Sequence, residues 1–98
     1  MKWDQSQVLS FAEDRFGVNS ALAIAVRGNK EMSELLSALS NNTVSDYDIA
    51  MECADIVIFM MQIAEKMNYD LLTLVDKKMD INENRKWERA ADGSFQHV

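Results

Sequence analysis

The sequence predicts an all-α protein, a helical bundle of about four helices, on three observations. Its 98 residues include no proline and only three glycines, so little interrupts a helix once begun. Apolar residues recur at spacings of three and four through most of the chain, the period of one helix face. Short polar punctuation divides these stretches, at Gly17, Asn41-Asn42-Thr43 and Asn68-Tyr69-Asp70.

The first helix covers about residues 5–15, with Val8, Leu9, Phe11, Ala12 and Phe16 as its apolar stripe. Gly17 is its expected left-handed terminator. The second helix runs from about Ser20 to Ser40 on Leu22, Ala25, Val26, Met32, Leu35, Leu36 and Leu39. Gly28 lies inside it, costs of order 1 kcal/mol relative to alanine, and marks the place for a kink or break. Ser45 followed by Asp48 is a capping pattern, opening a third helix that lasts to Met67. The middle of that helix, Ile56 to Met61, is apolar on every face. Its β-branched residues would suit a buried strand, but Met51 to Lys66 holds no breaker and so long a strand is unusual. A helix apolar all round is packed on several sides, and in so small a domain a subunit interface is expected to supply one of them. Asp70 caps a fourth helix from Leu71 to about Ala90, with Leu71, Leu72, Leu74, Val75, Met79 and Ile81 as its stripe. The tail after Asp92-Gly93 is too polar to assign.

Length and composition narrow the function. The chain reads as one domain, residues 1–98, burying only about 60–70% of its unfolded surface, which favours completion by a second subunit. Sixteen acids against ten bases leave a formal charge of −6, against the basic footprint that nucleic-acid binding needs. An anionic ligand would need a divalent cation or a local basic cluster. One cysteine forms no internal disulfide, and one Cys with one His makes no Cys/His zinc site, so a reducing, cytoplasmic setting is expected. Met1-Lys2-Trp3-Asp4 carries no apolar signal region and no apolar run exceeds six residues, so neither a secretion signal nor a membrane span is expected.

Two acidic pairs stand out, Glu31 with Glu34 and Glu52 with Asp55. A spacing of three puts both members on one helix face, with Cβ atoms about 5–6 Å apart. The intervening loop is short, so the second and third helices should run antiparallel. The pairs lie at mirrored distances from it, 7 to 10 residues before Asn41 and 7 to 10 after Ser45. Four carboxylates facing each other across one helix–helix groove make an all-oxygen site suited to Mg²⁺ or Mn²⁺. The second pair is embedded among Cys53, Ala54, Ile56 and Val57, where charge is costly unless paired or metal-bound. A single such pair is commonly plain surface charge; two at mirrored positions favour a site.

Glu31-Met32-Ser33-Glu34-Leu35-Leu36 and Glu52-Cys53-Ala54-Asp55-Ile56-Val57-Ile58-Phe59 resemble the ExxE…ExxD signature of the MazG-like, all-α nucleotide pyrophosphohydrolases. Ala64 to Leu71 is similar to that family's entry into the last helix. Lys78, Asn82, Arg85 and Trp87, with Asp92-Gly93 and His97-Val98, resemble the ending of a phage and prophage-associated subgroup, and Phe11 to Gly17 resembles its opening. The resemblance implies a Mg²⁺-dependent enzyme, with Mn²⁺ as a substitute, that hydrolyses a (deoxy)nucleoside triphosphate between the α and β phosphates to a monophosphate and pyrophosphate. It implies Glu31, Glu34, Glu52 and Asp55 as metal ligands, with Glu31 or Glu34 also orienting or deprotonating the attacking water. It implies a homodimer or homotetramer in which helices of two subunits complete the bundle. A non-catalytic helical module that binds a nucleotide or a protein partner is the competing reading; it has no evident use for four intact carboxylates.

Lys78 and Arg85, seven apart, fall on one face of the expected last helix with Asn82 between them. Cations and an amide on one stripe suit phosphate binding. The alternative is a solvated helix end whose cations favour the dipole, and the resemblance favours substrate binding. Arg27 and Lys30, beside the first acidic pair, are within reach of a ligand bound there, but neutralising nearby acids is the expected role. Trp87, Tyr69, Phe59 and Trp3 are candidates to stack on a base, but aromatics at helical spacing are expected mainly in the core, and the methionines as adaptable packing. Cys53 is expected to be small and buried, and His97 to belong to a tail. Met32 and Ser37 depart from the commoner family pattern and bear on pocket shape and base preference.

Overall fold

The computed structural model describes residues 2–85, 87–89 and 95–97, the last two stretches by their backbone. Four helices follow in order: α1 Gln5–Phe16, α2 Ala21–Leu39, α3 Asp46–Lys66 and α4 Leu71–Glu83. The all-α expectation holds, with one addition. Trp87–Arg89 (β1) and Phe95–His97 (β2) pair antiparallel, Trp87 opposite His97. The fourth helix therefore stops seven residues short of Ala90. Asp92, Gly93 and Val98, and the side chains of Trp87 and His97, lie outside the described residues. No helix among the described residues is long and apolar enough to cross a membrane.

Each helix starts on a side-chain cap, which satisfies a backbone N–H that would otherwise have no acceptor. Asp4 accepts from the Gln7 N–H while the Gln7 side chain accepts from the Asp4 N–H, a reciprocal capping box. Ser20 accepts from Ala23, Ser45 from Asp48 and Asp70 from Thr73. Gly17 ends α1, but not in the left-handed helical region: its φ of 81° comes with an extended ψ of 169°, a conformation essentially reserved for glycine. The left-handed residue is Asn68 instead, φ 64°, where α3 turns into α4.

Helix α3 is central and contacts each of the other three helices, most extensively α2. Gly28 does not break α2. It is buried in the α2–α3 contact, where an added Cβ would stand 3.1 Å from Met60 Cε and 3.5 Å from Phe59 Cβ. The glycine is there for close approach of two helices. Gln5, 7% exposed, joins α1 to the α3–α4 turn: its Nε2 donates to Tyr69 O (2.6 Å) and Glu65 Oε1 (3.1 Å), and its Oε1 accepts from the Leu71 N–H (2.8 Å). A Lys66–Glu13 ion pair at 3.6 Å also spans α3 and α1.

The core is thin. Ile24, Met61 and Ala64 are its buried apolar residues, and no large side chain is fully buried among the described residues. The chain exposes 7655 Å², where a compact monomer of this mass exposes about 5,700 Å². Its radius of gyration is 16.0 Å against about 13 Å for a compact domain of this length. Leu22, Val26, Leu36, Leu39, Val57, Leu72 and Met79 all remain largely in solvent. Cys53, expected to be buried, is exposed as well, because α2 covers only one side of the central helix.

Candidate active site

The α2–α3 hairpin pairs positions whose numbers sum to about 86–88: Gly28 meets Met60, and Glu31 and Glu34 come level with Asp55 and Glu52. The mirrored spacing thus becomes a real convergence. Carboxylate oxygens of Glu31, Glu52 and Asp55 all lie within 4.8 Å of one another. Glu34 stands outside that trio but shares a hydrogen bond with Glu31. That bond is the largest influence holding the Glu31 carboxyl above its ordinary range; partial burial follows, then the charges of Glu34, Asp55 and Glu52.

Glu52 carries the sharpest sign of a missing positive charge. Its Oε2 is buried with no hydrogen-bond partner among the described residues, a costly state for a carboxylate. No lysine or arginine among the described residues pairs with any of the four acids. A donor set made only of carboxylate oxygens, one of them orphaned, fits a hard divalent cation such as Mg²⁺ or Mn²⁺.

Beside the carboxylates opens a cavity of 590 Å³ formed by α1, α2 and α3 and reached by both Glu31 and Asp55. Its walls are largely aromatic and aliphatic. Trp3 and Phe11 meet edge to face at 5.6 Å, and the Arg27 guanidinium lies 5.5 Å from the Phe16 ring centre and 5.7 Å from that of Phe59. Arg27 makes no ion pair among the described residues. The expectation that it neutralises neighbouring acids is corrected: it packs on rings as a cation–π partner. Trp3 and Phe59, expected in the core, line this cavity instead, and Tyr69 is exposed.

No described α4 residue lines the cavity. Lys78 is exposed on α4, Asn82 is half-buried, and Arg85 is half-buried beyond the helix end. The single helical stripe expected for these three is corrected, because α4 ends at Glu83 and the chain then turns toward β1. Sequence reasoning missed Phe11, Phe16, Asn19 and Gln62 as cavity residues. Only Gln62 left a trace, as a lone amide after an apolar run and seven residues from Asp55.

No family model matches the chain. A protein of Salmonella phage PMBT28 named dATP/dGTP diphosphohydrolase is 36% identical over 96 residues, which are 97% of this chain and 31% of that protein. The chain therefore spans about a third of the length of that curated relative. Among solved structures, it superposes on a cyanophage S-2L MazG-like pyrophosphohydrolase bound to dGDP and three catalytic Mn²⁺ ions per active site. The TM-score is 0.74 at 23% identity, covering 96% of this chain and 92% of that one. The chain thus has the MazG-like all-α fold, built around a carboxylate-lined α2–α3 groove.

Proposed function

We propose that this chain is a divalent-metal-dependent nucleoside triphosphate pyrophosphohydrolase, adding water across the α–β phosphoanhydride of a (deoxy)nucleoside triphosphate to release the monophosphate and pyrophosphate. The observation that carries this is the convergence of Glu31, Glu52 and Asp55 around the orphaned Glu52 oxygen, at the mouth of a cavity large enough for a nucleoside. The similarity to a phage dATP/dGTP diphosphohydrolase supports a purine deoxynucleotide as substrate.

Glu31, Glu52 and Asp55 would hold Mg²⁺, or Mn²⁺ in its place, with Glu34 beside them. When bound, the cation offsets the negative charge that builds on the phosphate oxygens and lowers the pKa of water. Glu34, outside the trio yet hydrogen-bonded to Glu31, is the carboxylate best placed to orient the attacking water and accept its proton. Lys78, Asn82 and Arg85 stand away from the cavity within one chain, so a role at the phosphates would have them act on a neighbouring subunit's site. The exposed apolar surface of α2, α3 and α4 supports a homodimer or homotetramer. A single domain acting in the cytoplasm, without nucleic-acid or membrane partners, accords with this reading.

The test is the purified protein with Mg²⁺ or Mn²⁺ against the eight common NTPs and dNTPs, followed by pyrophosphate release and chromatography of the nucleotide product. Turnover that disappears in Glu34→Gln and Asp55→Asn, with the helical circular-dichroism signal kept, is the expected result. No pyrophosphate from any of the eight nucleotides overturns the reading.

A further inference from the structure

We propose that Gln62 reads the edge of the nucleobase, and that its freedom to flip lets one pocket accept both 6-amino and 6-oxo purines. This rests on the pyrophosphohydrolase reading above and names the residue that sets its base selectivity. Gln62 is 7% exposed, lines the cavity, and makes no hydrogen bond among the described residues. The residue is largely buried, yet its amide atoms keep contact with the solvent of the cavity, so a ligand there meets a carboxamide with no protein bond to break. The other cavity amide differs: the Asn19 Nδ2 donates to Gly17 O at 3.1 Å, which fixes its orientation.

The placement matches a nucleotide's dimensions. Gln62 follows Asp55 by seven residues on α3, two turns along the same face and about 10.5 Å along the axis. That is comparable to the reach from an α-phosphate across the sugar to the far edge of a purine. Phe59 lies on the same face between them and, with Phe16, offers a ring for stacking. The edge chemistry then follows from the amide. Adenine presents an N6–H donor beside the N1 acceptor, and guanine an O6 acceptor beside the N1–H donor. A carboxamide satisfies both patterns by rotating its terminal group by half a turn.

The test compares wild type, Gln62→Glu and Gln62→Met with dATP and dGTP in the presence of Mn²⁺. A carboxylate accepts but does not donate, so it suits the adjacent N1–H and N2–H of guanine and opposes the N1 lone pair of adenine. Gln62→Glu should shift the dGTP-to-dATP ratio of kcat/KM at least tenfold toward dGTP; this ratio cancels any general effect of added charge. Gln62→Met keeps the side-chain shape and should raise KM for both purines about tenfold or more with kcat little changed. If Gln62→Glu does not fold, as judged by circular dichroism, the Gln62→Met measurement decides alone. An unchanged ratio in folded Gln62→Glu, or unchanged KM values in Gln62→Met, overturns this inference while wild-type turnover leaves the enzyme reading standing. Wild type inactive on every nucleotide overturns the enzyme reading itself.

Discussion

Gly28 of α2 lies so close to Met60 of α3 that a Cβ added to the glycine would stand 3.1 Å from the methionine Cε. This close approach sits one helical turn from Glu31. It lets carboxylates on opposite helices come within 4.8 Å of one another. Alanine at 28 gains about 1 kcal/mol of helix propensity and crowds only the flexible end of Met60, so Gly28→Ala should stay within about 1 kcal/mol of wild type. Gly28→Leu should force the helices apart, cost about 1–3 kcal/mol and lower turnover by at least about tenfold, since misplaced catalytic groups lose rate steeply. Chemical denaturation and pyrophosphate release measure the two effects.

Glu52 should show opposite effects with and without metal. In metal-free protein, Glu52→Gln removes an orphaned buried charge and a repulsive neighbour of Glu31, so Tm should hold or rise. With Mn²⁺ at a hundredfold excess over Kd, wild type should gain about 2.7 kcal/mol, and the variant should lose most of that gain. Thermal scans at several Mn²⁺ concentrations distinguish a ligand from a purely structural residue.

The pH dependence of metal-free stability should carry the signature of Glu31. Its carboxyl is held above the ordinary value of 4.5 by the hydrogen bond with Glu34, then by burial and the surrounding acids. The folded state therefore binds this proton more tightly than the unfolded chain. The resulting stabilisation is complete below 4.5 and fades as pH rises through the raised pKa. Asp4 acts the other way. The Gln7 N–H, its main influence, holds its carboxyl below 3.8, so its contribution is present above 3.8 and fades as pH falls through the lowered pKa. Denaturation midpoints from pH 3 to 8 should decline across the upper window in wild type and flatten there in Glu31→Gln.

Gln5 should be a stability residue far from the chemistry. Gln5→Leu deletes three hydrogen bonds and leaves the Leu71 N–H and Tyr69 carbonyl without their partner. The expected cost is about 2–4 kcal/mol, read by denaturant titration. Turnover per folded molecule should change little, because Gln5 does not line the cavity beside the carboxylates.

Much of the site was legible because helical periodicity is local and the hairpin is symmetric. Residues three apart share a helix face, and a short loop places equal offsets opposite each other, so the approach of Glu31 to Glu52 and Asp55 follows from counting. The caps Ser45 and Asp70 were equally readable, since a side chain three residues from an N–H needs no tertiary partner. The roles of Gly28, Gln5 and Gln62 were not readable in this way. Each depends on an atom from another helix or on a wall built by three helices. The end of α4 was missed because no glycine or proline stands between Glu83 and Gly93 to stop a helix, and the turn toward β1 goes with a pairing to β2 that local spacing does not reveal.

The sequence by itself determined four helices, their caps and the facing acidic pairs, because these depend on spacing along one chain. Only the tertiary structure decided which three carboxylates meet and which one stands beside them. It also showed that one Glu52 oxygen has no partner among the described residues, and that Trp3, Phe11, Phe16 and Phe59 wall a cavity rather than fill a core. Those outcomes depend on distances between side chains that meet only after the helices pack, where a difference of one ångström separates a ligand from a neighbour.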